Sequence, residues 1–191
     1  MTKPPHRNVD LGSHGRRRFL RKAGAVCAVA GAFAAMPALA AADPQPRRLR
    51  FVHTHTGETL TTTYFDGNDY DAGALLEVNR LMRDFRTGDV QVMDPPLLDI
   101  LWNLQAMADR EATFEIICGY RSPMTNAMLH QRSAGVAEHS QHLLGKAIDL
   151  RITGYPTARL GEHARSLALG GVGYYATSDF VHVDTGRVRF W

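Results

Sequence analysis

The sequence predicts an α+β fold, a single domain in which a small, largely antiparallel sheet is flanked by helices. Two stripes of apolar residues at helical spacing lie early in the chain, and several short runs of β-branched and aromatic residues lie late. Helices and strands that segregate in this way, rather than alternating strictly, belong to α+β architecture. The 191 residues leave room for one compact domain once an N-terminal leader is set aside.

That leader covers residues 1–40. Arg16-Arg17-Arg18-Phe19-Leu20-Arg21-Lys22 precedes an Ala-rich apolar run from Ala23 to Ala35, and Pro37-Ala38-Leu39-Ala40 follows. A basic segment, an apolar segment and a small-x-small site in this order form a secretory signal. The run is shorter than the roughly 20 apolar residues of a spanning helix, so no stable membrane span is expected after cleavage. The arginines before Phe19-Leu20 resemble a twin-arginine signal, with Arg17 or Arg18 at its third position. Cleavage after Ala40 or Ala42 yields an exported protein, periplasmic or in the cell envelope. Residues 41–191 carry 15 Lys/Arg and 18 Asp/Glu, so the +3 net charge of the whole sequence belongs to the leader. With no basic-aromatic patch remaining, no nucleic-acid partner is expected. Cys27 leaves with the leader, and Cys118, flanked by Ile116-Ile117, reads as a buried thiol.

Residues 41–48 form a flexible lead-in, and residues 49–191 the folded domain. Leu49 to His53 and Thr59 to Tyr64 read as a hairpin about Thr56-Gly57-Glu58. Asp71 caps a helix whose stripe of Leu75, Val78, Leu81, Met82 and Phe85 runs to Thr87-Gly88. A second helix starts at Pro95-Pro96 and buries Leu97, Leu98, Leu101, Leu104 and Met107. Thr113 to Cys118 is a strand, Met124 to Gln131 one or two helical turns, and Lys146 to Ile152 a strand. Thr157 to Leu169 is a helix, and Val172 to Tyr175 and Phe180 to Asp184 are strands.

The chemistry concentrates in Ser140-Gln141-His142-Leu143-Leu144-Gly145-Lys146-Ala147-Ile148-Asp149 and in Phe180-Val181-His182-Val183-Asp184. Two imidazoles and one carboxylate can fill three corners of a tetrahedral zinc site and leave the fourth to water, the ligand count of catalytic zinc. An isolated histidine in a strand is more often a core residue, so composition and spacing alone leave both readings open. His139, three residues before His142, lacks the following Glu of a His-Glu-x-x-His helix and reads as an exposed or pocket-rim residue. His53 and His55 share a strand face with no further ligand beside them, and His130 and His163 read as surface residues.

Ser-x-His-x-x-Gly-x-Ala-x-Asp at Ser140 to Asp149 resembles the first metal signature of the zinc D-alanyl-D-alanine peptidases, which include the VanX-type dipeptidases. Phe180-Val181-His182-x-Asp184-Thr185-Gly186, Gly170 to Tyr175, and the terminal Arg189-Phe190-Trp191 are more narrowly similar to the YcbK/MepK branch of murein endopeptidases. Asp94-Pro95 and Gly119-Tyr120-Arg121-Ser122 extend the resemblance over nearly the whole of the domain. It implies Zn2+ bound by His142, Asp149 and His182, with Arg121 stabilising a developing oxyanion or holding a substrate carboxylate. Better-known branches carry a Glu base three residues before the last histidine; here that position is Asp179, about one carbon shorter in reach. Asp184, on the same strand face as His182, is therefore favoured as base or acid/base partner, with Asp179 as the alternative. The implied activity is zinc-dependent hydrolysis of peptide crosslinks in peptidoglycan. Its rivals are a D,D-carboxypeptidase or dipeptidase acting on murein peptide ends and a non-catalytic, metal-stabilised wall-binding module.

Overall fold

The computed structural model describes residues 45–108, 111–133 and 135–191. The expected leader and the first four residues of the lead-in lie outside the described residues. Seven strands, β1 (Arg47–His53), β2 (Thr59–Phe65), β3 (Thr113–Cys118), β4 (Ala147–Ile152), β5 (Gly171–Tyr175), β6 (Phe180–Asp184) and β7 (Arg189–Phe190), form one sheet. Their order is β2-β1-β3-β4-β6-β5-β7. Only β1–β3 and β5–β7 run parallel. Helices α1 (Ala72–Leu81), α2 (Pro96–Met107), α3 (Pro123–Arg132) and α4 (Thr157–Leu167) complete the α+β fold that the sequence predicts. None of the described helices is long and apolar enough to cross a membrane.

Alternation along β4 separates the two faces of the sheet. Ile148, Leu150 and Ile152 join Phe114, Ile116, Val181 and Val183 in an apolar core with Leu97, Leu101 and Leu104 of α2 and Leu160 and Ala164 of α4. Burying each such side chain contributes about 1.5–3 kcal/mol. Ala147, Asp149 and Arg151 take the other face. There the register makes Asp149 the direct cross-strand partner of both Cys118 on β3 and His182 on β6, and His182 the partner of Gly173 on β5. One row across four strands thus gathers a thiol, a carboxylate, an imidazole and a gap.

Differences from the sequence reading fall at chain turns. Asp71 does cap α1, accepting from Ala74 N at 2.6 Å, but the helix stops at Leu81 instead of continuing to Thr87-Gly88. Residues 84–89 close a turn of their own, with Asp84 N on Asp89 O and Gly88 N on Asp84 O, and Phe85 leaves the helical stripe to stack on His55. α3 has ten residues where one or two turns were expected, because Ser122 caps it and Pro123 suits its first position. His142, expected on a loop, sits in a 3₁₀ turn (Gln141–Leu144). Gly145 ends that turn at φ +66, where a Cβ would collide with Val92 O, so no other residue fits between the two metal-type ligands of this segment. Asp94 secures the same region, its N–H on Gly145 O and its carboxylate accepting from Thr185 Oγ1 at 2.6 Å.

The turn after α1 also holds the segment that approaches the polar face. Tyr120 N donates to Met82 O, and Asp84 accepts from Ser122 N and Arg86 N at 2.9 Å each. Burial opposes ionisation of Asp84, but Thr125, Ser122 and these N–H groups outweigh it and hold its carboxyl below the usual range. A depressed carboxylate stabilises the fold at pH above its unfolded pKa of about 3.9 and loses that contribution as pH falls through the folded value. Asp84→Asn is therefore expected to lower stability at pH 7 by about 1–3 kcal/mol and to flatten the acid limb below about pH 4. Thermal melts from pH 7 to pH 2 check both; a variant whose acid limb matches wild type overturns the assignment.

Candidate metal centre

Three donors meet on the polar face of the sheet. His142 Nε2 lies 3.2 Å from Asp149 Oδ1 and 3.2 Å from His182 Nδ1, and His182 Nδ1 lies 2.9 Å from Asp149 Oδ1. The 3₁₀ turn supplies the first, β4 the second and β6 the third. All three are buried: His142 is 2% exposed, and Asp149 and His182 are 7% each.

The far nitrogen of each imidazole is occupied. His142 Nδ1 faces Gly119 O at 2.7 Å, and His182 Nε2 faces Asp184 Oδ2 at 2.9 Å. A carbonyl oxygen only accepts, so Nδ1 of His142 carries a proton, and Nε2 is the nitrogen that faces Asp149 and His182. Asp184, fully buried, is saturated in turn: Arg189 grips both of its oxygens at 2.7 and 3.0 Å, and Gly171 N and Gly186 N donate to Oδ1. This carboxylate–imidazole arrangement fixes the orientation of the His182 ring.

The electrostatics favour a cation where the donors converge. Burial pushes the His142 imidazole down, but the Asp149 carboxylate and the Cys118 thiol raise it to about 10. Burial also opposes ionisation of Asp149, yet His142 and His182 hold it far below the usual carboxylate range. Asp184 is depressed against its own burial by His182 and Arg189. Removing one member of such a buried set leaves the rest uncompensated, at a cost of about 3–5 kcal/mol.

Zinc bonds of about 2.0–2.1 Å in a tetrahedron place neighbouring ligand atoms about 3.3 Å apart. The observed 2.9–3.2 Å differs by only a few tenths of an ångström, so the donor set fits that ion. Cys118, read from sequence as an inert buried thiol, belongs to the same cluster: its Sγ and donor atoms of His142 and Asp149 all lie within 4.8 Å of one another. Burial raises its pKa, but His142 and Arg121 outweigh this and bring the thiol below its ordinary value. The apolar residues around Cys118 conceal this neighbourhood in sequence, since the β3–β4 register alone makes it a partner of Asp149.

The remaining sequence candidates divide. Arg121, its side chain 10% exposed, approaches Asp149 Oδ2 at 3.7 Å, and NH1 donates to Asn126 Oδ1 at 3.3 Å, while Nε is buried without a partner. Asp179 sits on the β5–β6 turn at φ +51, its side chain 63% exposed and 3.6 Å from Arg151. His139 is exposed and lines a cleft of about 440 Å³ together with Arg121, the three donors and Trp191; neither Asp179 nor Asp184 is among its lining residues. His53 and His55 pack on Phe85, apart from these groups. Arg189, Trp191 and Gly173 carry parts of the site that residue types alone do not disclose. The sequence hint was the terminal Arg-Phe-Trp, whose position against β5 comes only from β7.

The family model described as peptidoglycan L,D-endopeptidase MepK matches residues 41–191. A Haemophilus influenzae protein named probable peptidoglycan L,D-endopeptidase MepK is 48% identical over 149 residues, 78% of this chain and 80% of that protein. The Escherichia coli peptidoglycan L,D-endopeptidase MepK is 40% identical over 184 residues, 96% of this chain and 100% of that protein. No solved structure gives a significant match. A match across residues 41–191 and relatives of this identity, on a fold that brings the signature residues together, establish that the chain belongs to the peptidoglycan L,D-endopeptidase MepK family.

Proposed function

We propose that this chain is an exported, zinc-dependent murein endopeptidase that hydrolyses peptide crosslinks of peptidoglycan, with the L,D bond class named for its relatives. The observation that carries the reading is the convergence of His142 Nε2, Asp149 Oδ1 and His182 Nδ1 beside an open cleft. The signal-like leader supports delivery to the periplasm or cell envelope, where the substrate lies. His142, Asp149 and His182 would hold the zinc, which would supply a Lewis acid and a water of lowered pKa.

The chain's own residues do the rest. Gly119 O and Asp184 fix the two imidazoles. Arg121, anchored through Asn126, directs its guanidinium at negative charge developing on the substrate carbonyl oxygen. The sequence favours Asp184 as base, but the surroundings of the two carboxylates argue for exchanging their roles. Asp184 has all its lone-pair directions committed to Arg189, His182 and two backbone N–H groups, which suits a positioning residue. Asp179 lies outside the cleft lining but keeps exposed oxygens and adjoins the lining residues Ser178 and Phe180, and giving up its one loose ion pair to Arg151 would free it to turn toward the cleft. We assign it the proton lost by the attacking water, to be passed to the leaving amine.

A chelator is expected to abolish release of crosslink products from purified murein, and added zinc to restore it; equal release in both conditions rules out the metal reading. Muropeptide mass spectrometry of the same digest reads the bond class, because trimming of chain ends and separation of dimers give different masses. Asp184→Asn should weaken zinc binding about 10–100-fold in a competition with a chromogenic chelator. Asp179→Asn should leave zinc affinity intact and lower kcat about 10²–10⁴-fold. Asn tolerates the left-handed backbone at position 179 at least as well as Asp, so the second variant tests chemistry and not folding. The opposite pattern, zinc lost with Asp179→Asn and retained with Asp184→Asn, overturns the role assignment. Arg121→Lys keeps the charge but not the planar fork, and should lower kcat about 10²-fold or more with zinc retained.

A further inference from the structure

One wall of the cleft is aromatic, and it is built with more restraint than a solvent-facing surface needs. Trp191 is 46% exposed, yet its indole is confined from several directions. The Arg189 guanidinium lies 5.0 Å over the ring and the His182 ring 5.3 Å away. Gly173 makes the space it occupies, since a Cβ there would fall 2.5–2.8 Å from three indole atoms. Its backbone is tied at both ends, N to Val172 O and O to Tyr174 N. So held, the indole Nε1–H donates to the Tyr175 hydroxyl at 2.8 Å.

The direction of that bond matters. An indole N–H donates and never accepts, so the Tyr175 oxygen is the acceptor and its own proton is left to serve another group. The Tyr175 ring is meanwhile stacked on Phe180, with centroids 4.5 Å apart and planes at 16°. Both rings line the cleft. In the β5–β6 register Tyr175 pairs with Phe180, as Gly173 pairs with His182. Tyr175 therefore stands two residues along the strand from the metal-ligand row, on the same face, a step of about 7 Å. Two residues of an extended peptide span the same distance.

We infer that the Tyr175 hydroxyl is a substrate-binding donor, held in orientation by Trp191, that engages a carbonyl or carboxylate oxygen of the murein peptide about two residues from the scissile amide. Tyr175 is the residue in contact with substrate, and Trp191 is a positioning residue that acts through it. The inference rests on the murein-peptidase reading above and adds to it a polar subsite on the aromatic wall.

The test uses the zinc-loaded protein and a purified crosslinked muropeptide. Tyr175→Phe keeps the stacked ring and removes only the hydroxyl, and is expected to lower kcat/KM about tenfold with zinc content and Tm unchanged. Trp191→Phe removes the Nε1–H and should give a loss of the same order or smaller. The double variant should be no worse than Tyr175→Phe alone, because a group acting only through the hydroxyl has no effect once the hydroxyl is gone. Unchanged kcat/KM in Tyr175→Phe overturns the subsite, and losses that multiply in the double variant overturn the positioning role. Muropeptide affinity, measured by calorimetry on the same proteins, separates the two levels of argument. Absence of wild-type turnover sinks the peptidase reading, and the subsite then stands if Tyr175→Phe weakens binding about tenfold and falls if it does not.

Discussion

The site depends on one buried carboxylate. Asp149 faces His182 directly across β4 and β6 and meets His142 from the 3₁₀ turn, with Arg121 above it. An ionised carboxylate at 7% exposure is tolerable only with positive or polar partners on several sides, and both imidazoles and the guanidinium answer that demand. Satisfying Asp149 therefore draws three separate segments of the chain to one point. A cation at that point completes the balance, which is why a cluster costly as a plain core feature is reasonable as a metal centre.

Around this carboxylate the partners are themselves held. Asp184, Arg189 and two backbone N–H groups set the angle of His182, and the Gly119 carbonyl sets that of His142. Tyr120 and Ser122, which follow Gly119, are in turn secured to the turn after α1 through Met82 and Asp84. A displacement of any link alters where an imidazole nitrogen points, and the affinity for a metal held there would be sensitive to this. The apolar face of the sheet, closed by α2 and α4, keeps the strands in the register on which the row relies. Core and site thus share β4 and β6, alternate residues of the same strands serving each.

The aromatic wall uses the same economy. Gly173 is the one position in the cross-strand row without a side chain, and the indole of Trp191 fills the space it leaves. The wall then touches both His182 and Arg189, the residue that grips Asp184. The aromatic wall and the residues that orient His182 are in physical contact, so the shape of the cleft and the orientation of that imidazole are set together.

From the sequence alone came the α+β class, most of the strands and helices, and the set of His142, Asp149, His182 and Arg121 that the structure brings into one place. Those features reside in local hydrophobic period, in turn residues such as Gly145 and in contiguous motifs. The early end of α1, the short β7 and the neighbourhood of Cys118 were not legible, because each is decided by contacts with segments far away in the chain. The contrast between the surroundings of Asp184 and Asp179 is the sharpest case. Both are aspartates within three residues of His182, and spacing treats them almost alike. Tertiary structure buries one under Arg189 and leaves the other on an exposed turn at positive φ. Sequence determines which donors and acceptors are available, whereas the role of each depends on which of its lone pairs are already occupied, and long-range packing alone sets that.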